Sequence, residues 1–346
     1  MPVGTFADAF AFRTASPYGL FAALVLLAGG NLPADETASA PPAAADREQG
    51  DTNWSGRLRR AAEAMEWSDE RVRHEWRIQR RPGSDAARVL DPADRVIHTG
   101  SSASCREHFQ ALEASGQIPP VEGPTVILLH GLGEGRGSMR PLADYLREHH
   151  DATVLTFGYA SPRAGVDDHA RALGSVIAGL DGADRISLVG HSLGNIVVRR
   201  WMADAPAADL DRIERMVMLG APNQGSDLAR RVSQVWLLSK LSTGAAREMV
   251  MSWPQLARKL VVPPCPFGII AGGTGDAEGY SPMLDGDDDA VVRVEETRLE
   301  GADDFVLLPV RHAFMMRDPA VQEATASFLK GGHFGATAEP PAAAGP

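Results

Sequence analysis

From about Thr125 onward, short apolar runs rich in β-branched residues alternate with stretches that have helical spacing. The six runs cover residues 126–130, 152–159, 185–192, 215–222, 267–273 and 304–312. Helical stretches, such as Pro141 to His149 and Asp168 to Leu180, lie between them. Near-continuous apolar strands alternating with helices are what a parallel sheet covered on both faces requires. The pattern therefore predicts an open, doubly wound, mostly parallel α/β sheet.

The first 50 residues have a different pattern, which resembles a secretory signal. An apolar run from Leu20 to Ala28 follows Arg13 and precedes Ala38-Ser39-Ala40, a small-residue cleavage pattern. The run is shorter than the about 20 residues that a membrane-spanning helix needs. We interpret residues 1–50 as a signal-like leader followed by a disordered tether. The protein is therefore expected to be exported (periplasmic or secreted), and a cytoplasmic protein with a disordered leader is the alternative.

The rest of the chain divides into an N-terminal extension, a large domain and a tail. The extension, residues 51–120, is expected to contain a helix between Arg57 and Trp76 and then a hairpin turning at Pro82-Gly83. Residues 121–330 form the predicted catalytic domain, with an inserted cap at 223–266. Residues 331–346 return to Ala, Pro and Gly and are expected to be disordered.

A serine between two glycines lies at the end of the third apolar run. The segment Gly190-His191-Ser192-Leu193-Gly194 follows a strand pattern and precedes a helical stretch. In that context a G-x-S-x-G pattern indicates a sharp strand-to-helix turn that exposes a nucleophilic serine. Because a serine hydroxyl needs a neighbouring base at neutral pH, a histidine must come from elsewhere in the chain.

The expected base and acid follow the later runs, in the order Ser, acid, His. His312 directly follows the last run, so it should lie at the reactive edge of the sheet. The acid lies in a loop that contains many carboxylates, and we favour Asp289 because apolar residues that can anchor the loop follow it. Asp288 and then Asp276 are the alternatives. A dense cluster of carboxylates, which here includes Asp285 and Asp287, is also typical of a solvated loop or a cation site.

The first run ends in a glycine-rich loop, Leu129-His130-Gly131-Leu132-Gly133-Glu134-Gly135. Such a loop leaves backbone N–H groups free to bind a developing oxyanion, and the residue after the nucleophile supplies a second donor. These donors are predicted to be the main-chain N–H groups of Leu132 and Leu193. A phosphate-binding loop would need a Lys-Ser/Thr ending that is missing here, and the spacing fits a dinucleotide fingerprint poorly.

Composition excludes some classes of function. The 346 residues are 44% hydrophobic, enough for a full-sized core, and their formal charge of −11 argues against nucleic-acid binding. Cys105 and Cys265 are too far apart for a metal motif and are expected to be separate thiols, with a disulfide as the alternative in an exported protein. No metal or organic cofactor is expected.

Several segments together resemble the lipases and esterases of the α/β-hydrolase superfamily. The segments are LLHGLG, LVGHSLGN, LGAPNQGS, DDAVVRVEETRL and LPVRH, and the resemblance runs from about Thr125 to Leu329. It implies an α/β-hydrolase fold, with Ser192 as nucleophile, His312 as base, and Leu132 and Leu193 as oxyanion donors. The family's D-G-x-V acid segment appears here as Asp289-Ala290-Val291-Val292, with the glycine replaced. Substrate contacts are expected from His130, Gly131, His191 and Asn223.

The cap insertion has apolar residues at roughly helical spacing, including Val235, Trp236, Met249 and Trp253. They are expected to pack on the core and wall an acyl pocket. A lid that makes transient contact with a membrane or lipid surface is the alternative. The expected activity is hydrolysis of a small-molecule or lipid ester. A thioesterase, an amidase, an acyltransferase or a catalytically silent binding protein on the same scaffold remains an alternative.

Overall fold

The computed structural model describes residue 63, residues 65–233 and residues 244–335. The signal-like leader, the tether, residues 234–243 of the cap and the tail beyond residue 335 lie outside the described residues. None of the helices in the described ranges is long and apolar enough to cross a membrane.

The central sheet consists of six parallel strands, one from each predicted run. They are β5 (Thr125–Leu129), β6 (Thr153–Phe157), β7 (Ile186–His191), β8 (Ile213–Leu219), β9 (Phe267–Gly272) and β10 (Asp304–Leu308). Their order across the sheet is β10-β9-β8-β7-β5-β6, and every neighbouring pair is parallel. The prediction of a doubly wound α/β sheet is confirmed.

Helices cover both faces of this sheet, because successive residues of a strand point to opposite faces and the side chains on both faces are apolar. In β5, Ile127 and Leu129 belong to one buried cluster, whereas Val126 and Leu128 belong to the other. The helices of this domain are α2 (Arg140–His149), α3 (Val166–Ala178), α4 (Leu193–Asp204), α5 (Ala207–Leu210), α6 (Asp227–Ser233), α7 (Gly244–Met251), α8 (Trp253–Ala257), α9 (Val294–Thr297) and α10 (Pro319–Gly331). Residues of α3 and α4 contribute to the first cluster, and residues of α2 and α10 to the second.

The N-terminal extension is a four-stranded antiparallel sheet followed by one helix. The strands are β1 (Ser68–Arg73), β2 (Trp76–Arg80), β3 (Ala86–Leu90) and β4 (Val96–Ser101), and α1 (Ser102–Ala114) follows them. They pair in chain order, and β2 and β3 flank the expected Pro82-Gly83 turn. The expected helix from Arg57 to Trp76 is wrong for its second half, because Ser68–Arg73 is a strand. Its charged residues indicated an exposed helix, yet Asp69 is buried in an ion pair.

That ion pair attaches the extension to the edge of the central sheet. Asp69 Oδ2 accepts from Arg77 at 2.6 Å and from the N–H of Gly158 at 2.7 Å. Arg77 also donates to the carbonyl of Thr156 at 2.6 Å, beside the end of edge strand β6. Both charged side chains are fully buried, so water does not reach the polar contacts that they make with the edge of the catalytic domain.

The described end of the tail differs from the expectation, whereas the two cysteines are separate thiols, as expected. Phe334 is buried against Phe328 of α10, so residues up to 335 pack on the domain and are not a disordered tail. The ring contact explains this, because an aromatic residue in an otherwise small-residue segment has apolar surface to bury. Cys105 and Cys265 are both free thiols. Burial raises the pKa of each thiol, which makes neither a reactive thiolate.

Candidate active site

The turn after β7 holds Ser192 in a conformation that L-residues rarely adopt. Its φ is 51° and its ψ is −118°, and α4 begins at the next residue. The two flanking glycines are required by close approach. A Cβ on Gly190 would lie 2.4 Å from Asn195 Oδ1, and one on Gly194 would lie 2.6 Å from the carbonyl oxygen of Leu129. The G-x-S-x-G pattern therefore permits a strained turn at this position.

His312 and Asp289 form a buried hydrogen-bonded pair. The ring Nδ1–H of His312 donates to Asp289 Oδ2 at 2.6 Å, and the His312 backbone N–H donates to the carbonyl of Asp289 at 2.8 Å. The other carboxylate oxygen, Oδ1, accepts from the N–H groups of Val291 and Val292 at 3.0 and 2.7 Å. The acid is thus fixed by its own loop, and it fixes both the position and the tautomer of the histidine.

The electrostatic surroundings favour the protonated form of His312. Burial alone would lower its pKa, but the charge of Asp289, their hydrogen bond and the more distant charge of Glu134 raise that pKa above its usual value. An imidazole with a raised pKa is a stronger base when it is neutral, and its imidazolium is stabilised once a proton arrives.

The other candidate acids shape the loop and do not contact His312. Asp288 is buried and accepts from the N–H of Ala290 at 2.6 Å, and burial raises its pKa. Asp287 accepts from the N–H of Thr274 at 2.7 Å, and Asp276 from that of Glu278 at 2.8 Å. Asp285 pairs with Arg231 at 2.5 Å. In the described part of the chain, no three His, Cys, Asp or Glu side chains are grouped to hold a metal ion.

Ala290, after the acid, has a backbone conformation that favours glycine. Its φ is 83°, in the left-handed region where glycine is favoured, and its methyl group is buried. This conformation suits the glycine of the D-G-x-V pattern, although alanine stands at the position here.

An apolar cavity of about 130 Å³ connects the serine and the histidine. Its described lining residues are Gly131, Leu132, Glu134, His191, Ser192, Leu193, Pro222, Ser226, Leu228, Ala229, Met249, Val250, Met283, Val291, Val292, His312 and Ala313. Leu132 and Leu193 are on this wall, and Leu193 is the first residue of α4. The first N–H groups of a helix have no partner within it, which leaves that of Leu193 available to a ligand.

Of the four predicted substrate contacts, Gly131 and His191 line the cavity, whereas His130 and Asn223 do not. His130 is fully buried, donates to the carbonyl of Gly131 at 2.9 Å and stacks on Tyr159 at 4.1 Å. Asn223 accepts from Arg199 at 2.9 Å and donates to the carbonyl of Thr297 at 2.8 Å. The polar side-chain atoms of both residues bind other parts of the protein. The prediction that they contact substrate is therefore wrong, and both instead support the structure around the site.

Sequence reasoning missed two features of this wall. Glu134 lines the cavity and received no role, although it stands in the glycine-rich loop. His191 was expected only as a substrate contact, but its ring also packs against that of His312, with centroids 4.6 Å apart. The G-H-S-x-G sequence alone could not reveal that contact, because His191 ends β7 whereas His312 follows β10, and these two strands are not adjacent in the sheet.

Solved structures with similar folds include a lipase, an esterase and a phospholipase. The mature form of a lipase from Bacillus licheniformis is 18% identical, with 62% of this chain and 96% of that chain covered and a TM-score of 0.49. A thermophilic esterase from Thermogutta terrifontis is 16% identical, with 62% and 92% covered and a TM-score of 0.41. A phospholipase from Legionella pneumophila is 23% identical, with 51% and 45% covered and a TM-score of 0.39. No protein-family model and no curated protein matches the sequence.

Proposed function

We propose that this chain is a serine hydrolase that cleaves carboxylic esters through an acyl-enzyme intermediate. One observation carries the proposal: the strained Ser192 and His312, which is hydrogen-bonded to the buried Asp289, come from separate loops, yet both line one apolar cavity. A nucleophile, a base and a group that orients the base are the parts that acyl transfer needs.

In the proposed reaction, Ser192 Oγ attacks the ester carbonyl while His312 Nε2 takes the hydroxyl proton. The N–H groups of Leu132 and Leu193 stabilise the oxyanion, and collapse of the intermediate breaks the bond to the alkoxy oxygen, which leaves with the proton from His312. Water then attacks the acyl-enzyme and gives its proton to His312, which returns it to Ser192 as the acid departs. Asp289 keeps the Nδ1 proton in place throughout.

The cavity wall supports an acyl group as the part of the substrate that is bound. Most of its side chains are apolar, and its volume of about 130 Å³ is close to the roughly 150 Å³ cavity that holds one benzene. The size favours a short acyl chain.

Three large apolar side chains at or near the cavity are exposed: Met251 is 50% exposed, Met283 45% and Phe314 47%. Met283 lines the cavity, and the other two lie close in sequence to residues that line it. We propose that they make transient contact with a lipid surface.

Hydrolysis of p-nitrophenyl esters by wild type, Ser192→Ala and the matched control Ser175→Ala tests the proposal. Ser175 is an exposed serine of α3, so its replacement should leave turnover unchanged. We expect Ser192→Ala to lose at least about 10³-fold in kcat, because the nucleophile itself is removed. Near wild-type turnover in Ser192→Ala would refute the proposal. Matched ester, thioester and amide substrates with one acyl group would then show which leaving group the site accepts, and a preference for the thioester or amide would reassign the activity.

A further inference from the structure

Glu134 holds the loop that carries Leu132. Its Oε2 accepts from the N–H of Gly131 at 3.0 Å and from the hydroxyl of Ser138 at 2.8 Å. The first contact fixes the residue directly before Leu132, and the second attaches the loop to the 3₁₀ turn at Arg136–Met139. A carboxylate with two donors on one oxygen thus sets the conformation of the segment from which an oxyanion donor is expected.

The same carboxylate oxygen faces the histidine that packs on the base. Glu134 Oε2 lies 3.4 Å from His191 Nδ1, and the Nε2–H of His191 donates to the carbonyl of His312 at 3.2 Å. His191 is fully buried, and its ring centroid lies 4.6 Å from that of His312. A continuous set of contacts therefore runs from the glycine-rich loop, through Glu134 and His191, to the backbone and ring of His312.

The two ring nitrogens of His191 face two groups that accept hydrogen bonds. The carbonyl of His312 can only accept, and an ionised carboxylate can only accept, so a neutral ring has a proton for one of them and not for both. Burial opposes ionisation of Glu134, but the charge of His191, their contact and the Gly131 N–H hold the pKa of Glu134 below its usual value. Glu134 therefore carries a negative charge in the wall of the cavity that Ser192 and His312 also line.

We propose that Glu134 is a positioning residue that fixes the oxyanion loop and, through His191, the base His312 relative to Ser192. The inference rests on the proposed ester hydrolysis and assigns a role to a side chain outside the Ser-His-Asp set. It separates two contributions. Hydrogen bonds to Gly131 and Ser138 set the loop geometry, and the negative charge of Glu134, together with that of Asp289, raises the proton affinity of His312.

Two variants of Glu134 separate geometry from charge, with hydrolysis of p-nitrophenyl butyrate measured against pH. Glu134→Gln keeps an oxygen that can accept from Gly131 and Ser138 but removes the charge. We expect the acid limb of its kcat/KM profile to move to lower pH by roughly 0.5 units, with kcat reduced only a few-fold. Glu148→Gln makes the same chemical change on an exposed face of α2 and should leave the profile in place.

Glu134→Asp keeps the charge but is one methylene too short to reach Gly131 and His191 together. We expect its acid limb to remain near that of wild type, whereas kcat falls about tenfold or more with KM little changed, since an oxyanion donor acts only in the transition state. If Glu134 acted only in folding, its replacement would neither shift the acid limb nor lower kcat selectively at constant KM. Far-UV circular dichroism and thermal midpoints show whether each variant is folded.

If the Gln variant does not fold, Ser138→Ala tests the loop contact alone. It removes one donor to Glu134, so we expect a few-fold lower kcat and an unchanged acid limb, and an unchanged kcat would count against the inference. Coincident profiles for Glu134→Gln and Glu148→Gln, or wild-type kcat in Glu134→Asp, would overturn it. Ser192→Ala distinguishes failure of the proposed function from failure of this inference. Activity in Ser192→Ala would refute the proposed function. An unshifted acid limb in Glu134→Gln, with hydrolysis that is still lost when Ser192 is replaced, would refute only this inference.

Discussion

Replacement of Asp289 by Asn exchanges one carboxylate oxygen for an NH₂ group and leaves the size of the side chain almost unchanged. Asp289 Oδ1 accepts from two backbone N–H groups, so the amide oxygen of Asn must occupy that position. The NH₂ group then takes the place of Oδ2, 2.6 Å from His312 Nδ1, and it can only donate. His312 must therefore carry its proton on Nε2, which is the nitrogen that should accept the proton of Ser192.

The wrong tautomer removes the base while the fold is retained. The same replacement in a Ser-His-Asp triad typically lowers kcat by about 10⁴-fold, which sets the expected loss for Asp289→Asn. Loss of the carboxylate should also lower the pKa of His312, because the charge of Asp289 is what raises it most. The assay is steady-state hydrolysis of a p-nitrophenyl ester from pH 5 to 10, a range chosen to cover the histidine's titration, with active sites counted by burst titration.

Asp288→Asn is the matched control. Asp288 is equally buried and one residue away, but its oxygens accept from Ala290 and Ser281 and not from His312. We expect less than about a tenfold loss of kcat, with most of the cost in stability. If Asp289→Asn kept more than a tenth of wild-type activity, or if Asp288→Asn lost as much, the reasoning from the hydrogen-bond pattern would be refuted.

Three further predictions concern protonation and stability. Because His312 must be neutral to act as base and its pKa is raised, kcat/KM should fall as pH drops through a value above 6.5, and a profile flat down to pH 6 would contradict this. His169 is buried, and burial lowers its pKa from 6.5 to about 4, so the unfolded chain binds a proton that the folded chain does not. The free energy of unfolding should therefore decrease by about 3 kcal/mol between pH 6.5 and 4, and urea titrations should show a smaller decrease in His169→Leu. Asp69→Asn should destabilise the fold by about 3 kcal/mol or more in the same titrations, because the fully buried Arg77 loses its carboxylate partner at 2.6 Å and keeps Glu75, at 3.5 Å and partly exposed, as its charged partner. Glu75→Gln, which removes a 38% exposed partner of the same arginine, should cost under about 1 kcal/mol, and equal costs would contradict the argument.

The sheet could be predicted because its signal is local. Each strand is a short apolar run buried on both faces, and this feature is visible without knowing any neighbour. Ser192 and His312 followed from the same reasoning, since a residue that ends a parallel strand must lie at one edge of the sheet. Asp289 was favoured over Asp288 from the apolar residues after it, and the structure brings Asp289 to the histidine.

What could not be predicted depends on contacts between distant segments. Strand β1 is rich in charge, and Asp69 is compatible with a buried strand because Arg77, Gln79 and the N–H of Gly158 donate to its carboxylate. His130 and Asn223 stand beside the site in sequence, yet Tyr159 and Arg199 occupy their polar atoms. The role proposed for Glu134 depends on its contacts with the glycine-rich loop and with His191 at the end of β7. Periodicity contains none of this information.

Reaction of the wild-type protein with a fluorophosphonate, followed by peptide mass spectrometry, tests the central claim most directly. An activated serine forms a stable phosphonyl ester, whereas an ordinary surface serine does not react. We predict one adduct, on Ser192, that is absent from Ser192→Ala and strongly slowed in Asp289→Asn. Labelling of another serine, or no labelling of folded protein, would contradict the account.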